Sequence, residues 1–241
     1  MPKPRLSSAR LAVITGGSRG IGLALATAFS GAGYTLVITG RDEQRLKAAA
    51  SGLAAGKTEV LAIQCDVREP DSVKKLFSEI GQKYSRIDVL VNNAGLAGPL
   101  ASVDKIPVEV WRAVIDTNLT GMFLVTQAAL PMMRAGSTIV NNLSVAAVQP
   151  FAGMAAYNAS KFGAMGFTQA LREDLRKRGI RVLALLPGAT DTEIWNQFWP
   201  EAPREKMVSP DTVAAAVLHA VSAPPETAIE EIRIGPAAGV L

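Results

Sequence analysis

Seven short apolar runs alternate with six longer helical patterns along this 241-residue chain. No other feature limits the fold as strongly, because parallel strands need crossover segments and helices are the usual crossovers. Strands are expected near 11–15 (LAVIT), 35–39 (TLVIT), 59–64 (EVLAIQ), 87–91 (IDVLV), 137–142 (STIVNN), 180–186 (IRVLALL) and 229–234 (IEEIRI). Helices are expected near 20–32, 42–54, 70–84, 107–134, 155–178 and 209–222, where apolar residues recur at i, i+3 and i+4. Pro70, Pro107 and Pro210 stand beside expected helix starts, where a missing N–H costs nothing. The expected fold class is therefore α/β: a doubly wound, seven-stranded parallel sheet with helices on both faces. Nothing resembling a linker or repeat divides the chain, so 1–241 reads as one domain.

Composition removes several classes of function. With 49% hydrophobic and 19% charged residues, the chain can bury a core and is not a disordered one. Cys65 is the single cysteine and His219 the single histidine, so neither an internal disulfide nor a Cys/His metal site is expected. No apolar run approaches the ~18 residues of a membrane span, and the basic opening lacks a signal-like apolar core. A cytoplasmic protein with no membrane partner is expected. The net charge of +4 lies wholly in residues 1–120, where fifteen Lys+Arg oppose eleven Asp+Glu. An anionic partner is expected in that half. Nucleic acid is not, since the densest basic group (Arg172, Arg176, Lys177, Arg178, Arg181) closes a helix, where cations suit the dipole.

The first half carries the signs of a nucleotide site. Thr15-Gly16-Gly17-Ser18-Arg19-Gly20-Ile21-Gly22 follows the first strand and opens the first helix. Glycines there let backbone N–H groups approach a pyrophosphate and let helix pack on strand, while the helix dipole favours the anion. Asp66 follows the third strand at the sheet's carboxyl edge, as ligand or as turn cap, and Asn92-Asn93-Ala94-Gly95 ends the fourth. The second strand ends Thr39-Gly40-Arg41, with glycine where an acid would hold a ribose 2′-hydroxyl. Arg41, with Arg19 as a second cation, favours a 2′-phosphate; two solvated arginines are the plain alternative.

The second half carries the chemistry. Tyr157 and Lys161 lie four residues apart at the start of a helix, hence on one face, and Ser144 follows the fifth strand at the same sheet edge. A phenol with a free pKa of ~10 donates a proton at pH 7, whereas acting as a base would need its anion stabilised, at roughly 4 kcal/mol for a shift to ~7. Lys161 is the residue placed to contribute. Taken alone, Tyr-x3-Lys is common and reads more readily as a partly exposed helix face.

Together, the Thr15–Gly22 turn, Asp66, Asn92 to Gly95, Asn118, Ser144, Tyr157 with Lys161, and Pro187-Gly188 resemble the short-chain dehydrogenase/reductase family in order and spacing. The resemblance spans essentially the whole chain and implies a single-domain Rossmann fold. It implies that Tyr157 is the acid/base, that Ser144 polarises a carbonyl, that Lys161 holds a nicotinamide ribose and lowers the tyrosine, and that Asn118 anchors a water. It implies NADP(H) as cofactor, held by Gly16, Ser18, Arg19, Gly20, Ile21 and Gly22, by Arg41, by Asp66 and Val67 near the adenine, and by Asn92, Ala94 and Gly95 about the adenosine ribose. Tyr157, Lys161, Pro187, Gly188 and Thr192 complete that set, with Thr190 the alternative to Thr192 at the carboxamide. Asn142-Leu143 before Ser144, and the short IRIGPAAGVL end, depart from the family pattern and leave the pocket's end wall open.

The stretch 189–208, with Trp195, Phe198 and Trp199, reads as a substrate-covering lid, or as rings buried against a partner subunit. Phe151 and Met154 would add to an apolar pocket. The division expected is a cofactor half at about 1–120 and a catalytic and substrate half at about 121–241. Apolar residues on several faces of 107–134 and 155–178 suggest a homodimer or homotetramer, in line with the resemblance. The expected function is NADPH-dependent reduction of a ketone or aldehyde. The alternatives are a 3-oxoacyl-[acyl-carrier-protein] reductase, for which Arg172 and Arg176 could meet an acidic carrier, and a non-catalytic NADP-binding regulator. His219 in an apolar helix does not suggest a hydrolase, Cys65 reads as a packed residue, and the sequons at Asn118, Asn142 and Asn158 read as chance matches.

Overall fold

Alternation along β1 (Leu11–Thr15) shows how the sheet is buried on both sides. Leu11 and Val13 face one hydrophobic cluster while Ala12 and Ile14 face another, and every residue of the strand is buried. A strand covered on both faces needs apolar residues at every position, which is why LAVIT reads as a continuous run. The computed structural model describes residues 9–55 and 58–239. The basic opening at 1–8 and the last two residues of the IRIGPAAGVL end lie outside the described residues.

Seven strands form one parallel sheet: β1, β2 (Thr35–Gly40), β3 (Val60–Gln64), β4 (Ile87–Asn92), β5 (Met133–Asn142), β6 (Arg181–Pro187) and β7 (Glu231–Ile234). Their order is β3-β2-β1-β4-β5-β6-β7, so successive crossovers change direction between β1 and β4. In open α/β sheets, ligands bind at the carboxyl ends of the strands beside that switch. Helices α1 (Gly20–Gly31), α2 (Glu43–Ala54) and α7 (Pro210–Val221) cover one face. The opposite face is covered by α3 (Pro70–Lys83), α5 (Gly121–Ala129) and α6 (Ala155–Arg176). In α3, Val73, Leu76, Phe77 and Ile80 supply the buried stripe, each stabilising the fold by roughly 1.5–3 kcal/mol. Asp42 caps α2 through Arg45 N at 3.0 Å, and Ser209 caps α7 through Thr212 N at 3.1 Å. Among the described residues, no helix is long and apolar enough to cross a membrane.

The doubly wound α/β expectation holds, with one correction of consequence. The single helix expected over 107–134 is broken into α4 (Val108–Ile115), a π turn at Asp116–Thr120, α5, and a short 3₁₀ turn at Leu130–Met132. Pro131 lacks the N–H that would continue the helix, and β5 then begins at Met133, four residues before the expected Ser137. Gly121 lies so close to the loop after β3 that a Cβ would stand 2.7 Å from Val67 Cγ2. The π turn lies where the helix passes that loop, and it carries Asn118.

Candidate active site

The glycine turn after β1 forms the floor of a cleft of about 860 Å³ at the carboxyl edge of the sheet. Gly16 and Gly20 adopt positive φ (+64° and +53°), a region L side chains rarely enter. A Cβ on Gly22 would stand 2.2 Å from Gly16 O and 2.4 Å from Asn93 Nδ2, so α1 meets the strand end with no room for a side chain. Gly22 thus shapes the cradle by packing and is not among the residues lining the cleft. Arg19 is the N-cap of α1 in extended conformation, with no side-chain cap and no acid in the first turn. The positive end of the helix therefore faces the cleft.

Asparagines join this turn to the far side of the cleft. Thr15 Oγ1 accepts from Asn93 N (2.9 Å) and Ala94 N (3.1 Å) and donates to Val91 O (3.3 Å). Asn93 Nδ2 donates to Thr15 O (2.9 Å) and Gly16 O (3.0 Å), Asn142 Nδ2 donates to Asn93 Oδ1 (2.8 Å), and Lys161 Nζ donates to Asn142 O (3.0 Å). The sequence reading put Asn92 in the cleft, and the structure places it elsewhere. Asn92 is 3% exposed and donates to Thr126 Oγ1 (2.9 Å) and Asn141 Oδ1 (2.8 Å), joining β4 to α5 and β5. Successive strand residues face opposite sides, so of two adjacent asparagines only Asn93 turns to the ligand edge. Counting by twos from Leu90 puts the two asparagines on opposite faces, but both faces of β4 are apolar, so the count does not say which one holds the ligand.

Ser144, Tyr157 and Lys161 meet where β5 ends and α6 begins. Ser144 Oγ accepts from Ala146 N at 3.1 Å, which fixes its loop. Burial pushes the Tyr157 phenol above its ordinary value, and the neighbouring Ser144 hydroxyl pulls it partway back. Lys161 is 5% exposed, stands 5.5 Å from the Tyr157 ring centroid, and burial lowers its ammonium to about 8. Burial, not the Lys161 charge, sets the direction at Tyr157, so in this state the phenol stays protonated through neutral pH.

Asn118 lies behind these residues, 1% exposed and outside the cleft lining. Its Oδ1 accepts from Leu96 N (2.8 Å), and its Nδ2 donates to Leu96 O (2.8 Å) and Ser160 Oγ (2.9 Å). Ser160 in turn donates to Tyr157 O at 2.8 Å. Asn118 therefore positions α6 between Tyr157 and Lys161. Its side-chain amide is thus spent on bonds within the protein.

The other expected residues do line the cleft: Ser18, Ile21, Arg41, Asp66, Val67, Ala94 and Gly95 on one side, and Phe151, Met154, Pro187, Gly188, Thr190 and Thr192 on the other. The Asp66 carboxylate is held by Arg68 (Nη2–Oδ2 2.6 Å, Nε–Oδ1 3.0 Å), a bond that keeps it below the usual carboxylate range. The Thr190 hydroxyl is spent on Gly188 O at 3.1 Å. Trp195, Phe198 and Trp199 face the cleft, with the Trp195 ring 4.9 Å from Phe198 and 6.0 Å from Trp199 between centroids. Trp195 Nε1 donates to Thr190 O (2.9 Å) and Arg204 Nη1 to Thr192 O (2.6 Å), closing 190–204 on itself. The end wall left open by the sequence is built by Arg233, Gly235, Pro236 and Gly239. Among the lining residues to which the sequence assigns no role, Glu193 and Arg45 meet Arg19 in one ion cluster. Their sequence separation, 148 residues, gives no local signal. Arg172 pairs with Glu230 (3.3 Å) and Arg176 with Glu173 (2.6 Å).

A family model described as short chain dehydrogenase matches residues 10–203. The chain is 39% identical over 188 residues to a 3beta-hydroxysteroid dehydrogenase of Mediterraneibacter gnavus, covering 77% of this chain and 67% of that one. It is 38% identical over 221 residues to a 3-oxoacyl-[acyl-carrier-protein] reductase of Synechocystis sp., covering 87% and 88%. Among solved structures, an alcohol dehydrogenase from the archaeon Thermococcus sibiricus, complexed with 5-hydroxy-NADP, superposes with a TM-score of 0.89 at 28% identity, over 96% of this chain and 98% of that one.

Proposed function

The chain belongs to the short-chain dehydrogenase family, and from that premise we propose that it is an NADPH-dependent reductase of an apolar ketone or aldehyde. The observation that carries the reading is the shared cleft: the glycine turn lies at one end and the Ser144–Tyr157–Lys161 group at the other, joined by Asn93 and Asn142. The residues fit a dinucleotide, because the positive-φ turn at Gly16 and Gly20 leaves the uncapped start of α1 open to the cleft and no acid closes β2. Gly16, Ser18, Gly20 and Ile21 would hold its pyrophosphate, Arg41 and Arg19 its 2′-phosphate, Asp66 and Val67 its adenine edge, and Gly95 its ribose. Thr192 is the better carboxamide ligand, since the Thr190 hydroxyl is already bonded. When bound, the nicotinamide supplies a hydride to a carbonyl carbon.

Tyr157 donates its phenolic proton to the developing alkoxide, and its raised pKa keeps that proton available at neutral pH. Ser144 Oγ–H donates to the same oxygen, stabilising charge as it forms. Lys161, charged below about pH 8, holds the ribose and favours reprotonation of Tyr157. Trp195, Phe198 and Trp199 form an apolar wall that excludes water, in a lid at 189–208. Val108 and Trp111 on α4, Phe123 on α5 and Phe162 on α6 stand exposed, and they form the dimer face of a homo-oligomer. Light scattering after gel filtration tests this last point, and a monomer at micromolar concentration overturns it.

The reaction is tested by NADPH oxidation against a panel of apolar ketones, aldehydes and 3-oxoacyl thioesters. Tyr157→Phe is expected to lower kcat by about 10²–10⁴ while NADPH still binds. Residual turnover near the wild-type rate refutes the role of Tyr157. Binding of NADPH without turnover on any substrate would favour the regulator reading.

A further inference from the structure

One carboxylate oxygen, Glu193 Oε2, is gripped by two guanidiniums from different elements: Arg19 Nη1 at 3.0 Å from the start of α1, and Arg45 Nη1 at 2.9 Å from the first turn of α2. Arg41 stands on the same wall of the cleft, outside any ion pair among the described residues. Asp42, the other acid nearby, is committed to capping α2 and lies 3.4 Å from Arg45 Nε. Glu193 therefore sits where two helices present convergent cations, the arrangement that recognises a phosphate. We infer that Glu193 is a built-in competitor for the 2′-phosphate site, that Arg45 is a further cation of that site, and that the cofactor's phosphate displaces the Glu193 carboxylate on binding. The inference rests on the NADPH reading above.

Three physical points carry it. All three side chains are about half exposed, and exposed ion pairs contribute little, so the bridge yields readily to a dianion that engages both guanidiniums in bidentate fashion. Glu193 is held below the usual carboxylate range by Arg19 and then by Arg45, so it competes as an anion at neutral pH. It also belongs to the turn Glu193–Gln197 that carries Trp195, a ring of the substrate-side wall. Displacing one carboxylate thus frees the tie between that wall and α1 and α2. An NADH molecule lacks the group that does this, so the two cofactors differ in their effect on the lid as well as in affinity.

The test is equilibrium binding, by calorimetry, of adenosine 2′,5′-bisphosphate against 5′-AMP and of NADPH against NADH. Glu193→Gln is expected to bind the two 2′-phosphate ligands about 3- to 10-fold tighter, the scale of two exposed ion pairs, with AMP and NADH within about twofold. Arg45→Gln is expected to weaken the 2′-phosphate ligands by about tenfold and to leave the others unchanged. A bridge that merely braces the fold would shift all four ligands together or lower the melting temperature without changing selectivity, and either result overturns the inference. Arg41→Ala separates the two readings. If it removes NADPH preference while Glu193→Gln changes nothing, the competitor role alone fails. If wild type binds NADPH no better than NADH, the cofactor reading fails and takes the inference with it.

Discussion

Replacing Lys161 by methionine is expected to stabilise the folded protein while abolishing turnover. Burial lowers the Lys161 ammonium from 10.5 to about 8, and at 1.36 kcal/mol per unit this costs the folded state about 3 kcal/mol wherever the group is charged. Methionine keeps much of the shape and forfeits the 3.0 Å bond to Asn142 O, a loss of about 1 kcal/mol. The net gain at pH 7 is about 2 kcal/mol, or roughly 4–8 °C in Tm for a chain of this length. The pH dependence follows from proton counting. Between pH 8 and 10.5 the unfolded lysine binds a proton that the folded one has lost, so wild-type stability rises with pH across that window. The variant lacks this rise. Its advantage should therefore shrink above pH 8 and reverse near pH 10.5, where the neutral lysine keeps its hydrogen bond at no charging cost. Urea melts of both proteins, without cofactor, at pH 7, 8, 9 and 10 measure the gap. A variant less stable than wild type at pH 7, or a gap that does not change with pH, would refute the claim that a desolvated charge is held here for function.

Arg41→Ala should raise the NADPH Kd by roughly 10- to 100-fold, the value of a charge-assisted phosphate contact, and leave NADH within about twofold; cofactor fluorescence titration decides this. Gly22→Ala forces a methyl against Gly16 O and Asn93, and kcat/KM should fall by about 10- to 100-fold with either cofactor as the cradle shifts. Asn92→Ala removes two buried bonds and should lower stability by roughly 2–3 kcal/mol with cofactor binding within a few-fold of wild type, read by thermal melts and titration. Loss of cofactor binding in a still-folded Asn92→Ala protein would return that residue to the cleft.

Much of the fold was legible because its signals are local. Apolar runs of five or six residues, flanked by 3.6-period helices, placed β1, β2, β4 and β6 within a residue or so of their observed ends. The break in 107–134 was harder to read. Pro131 marks its C-terminal end, but the π turn at Asp116–Thr120 lies where the helix passes Val67, and no single segment encodes that proximity. The site divides in the same way. Tyr157 and Lys161 share a helix face by spacing alone, whereas Asn142, joining Asn93 to Lys161, links β5 to β4 and α6, and only the packed sheet brings these together.

By itself the sequence determined the class of fold, the glycine cradle, the missing acid after β2 and the phenol–ammonium pair, since each depends on residues within a few positions of one another. Tertiary structure alone decided which asparagine faces the cleft, how far burial moves Tyr157 and Lys161 from their ordinary titration, and that Glu193 closes on Arg19 and Arg45. Desolvation and ion pairing depend on what the fold brings within a few ångströms, and the partners here are separated by up to 174 residues of chain.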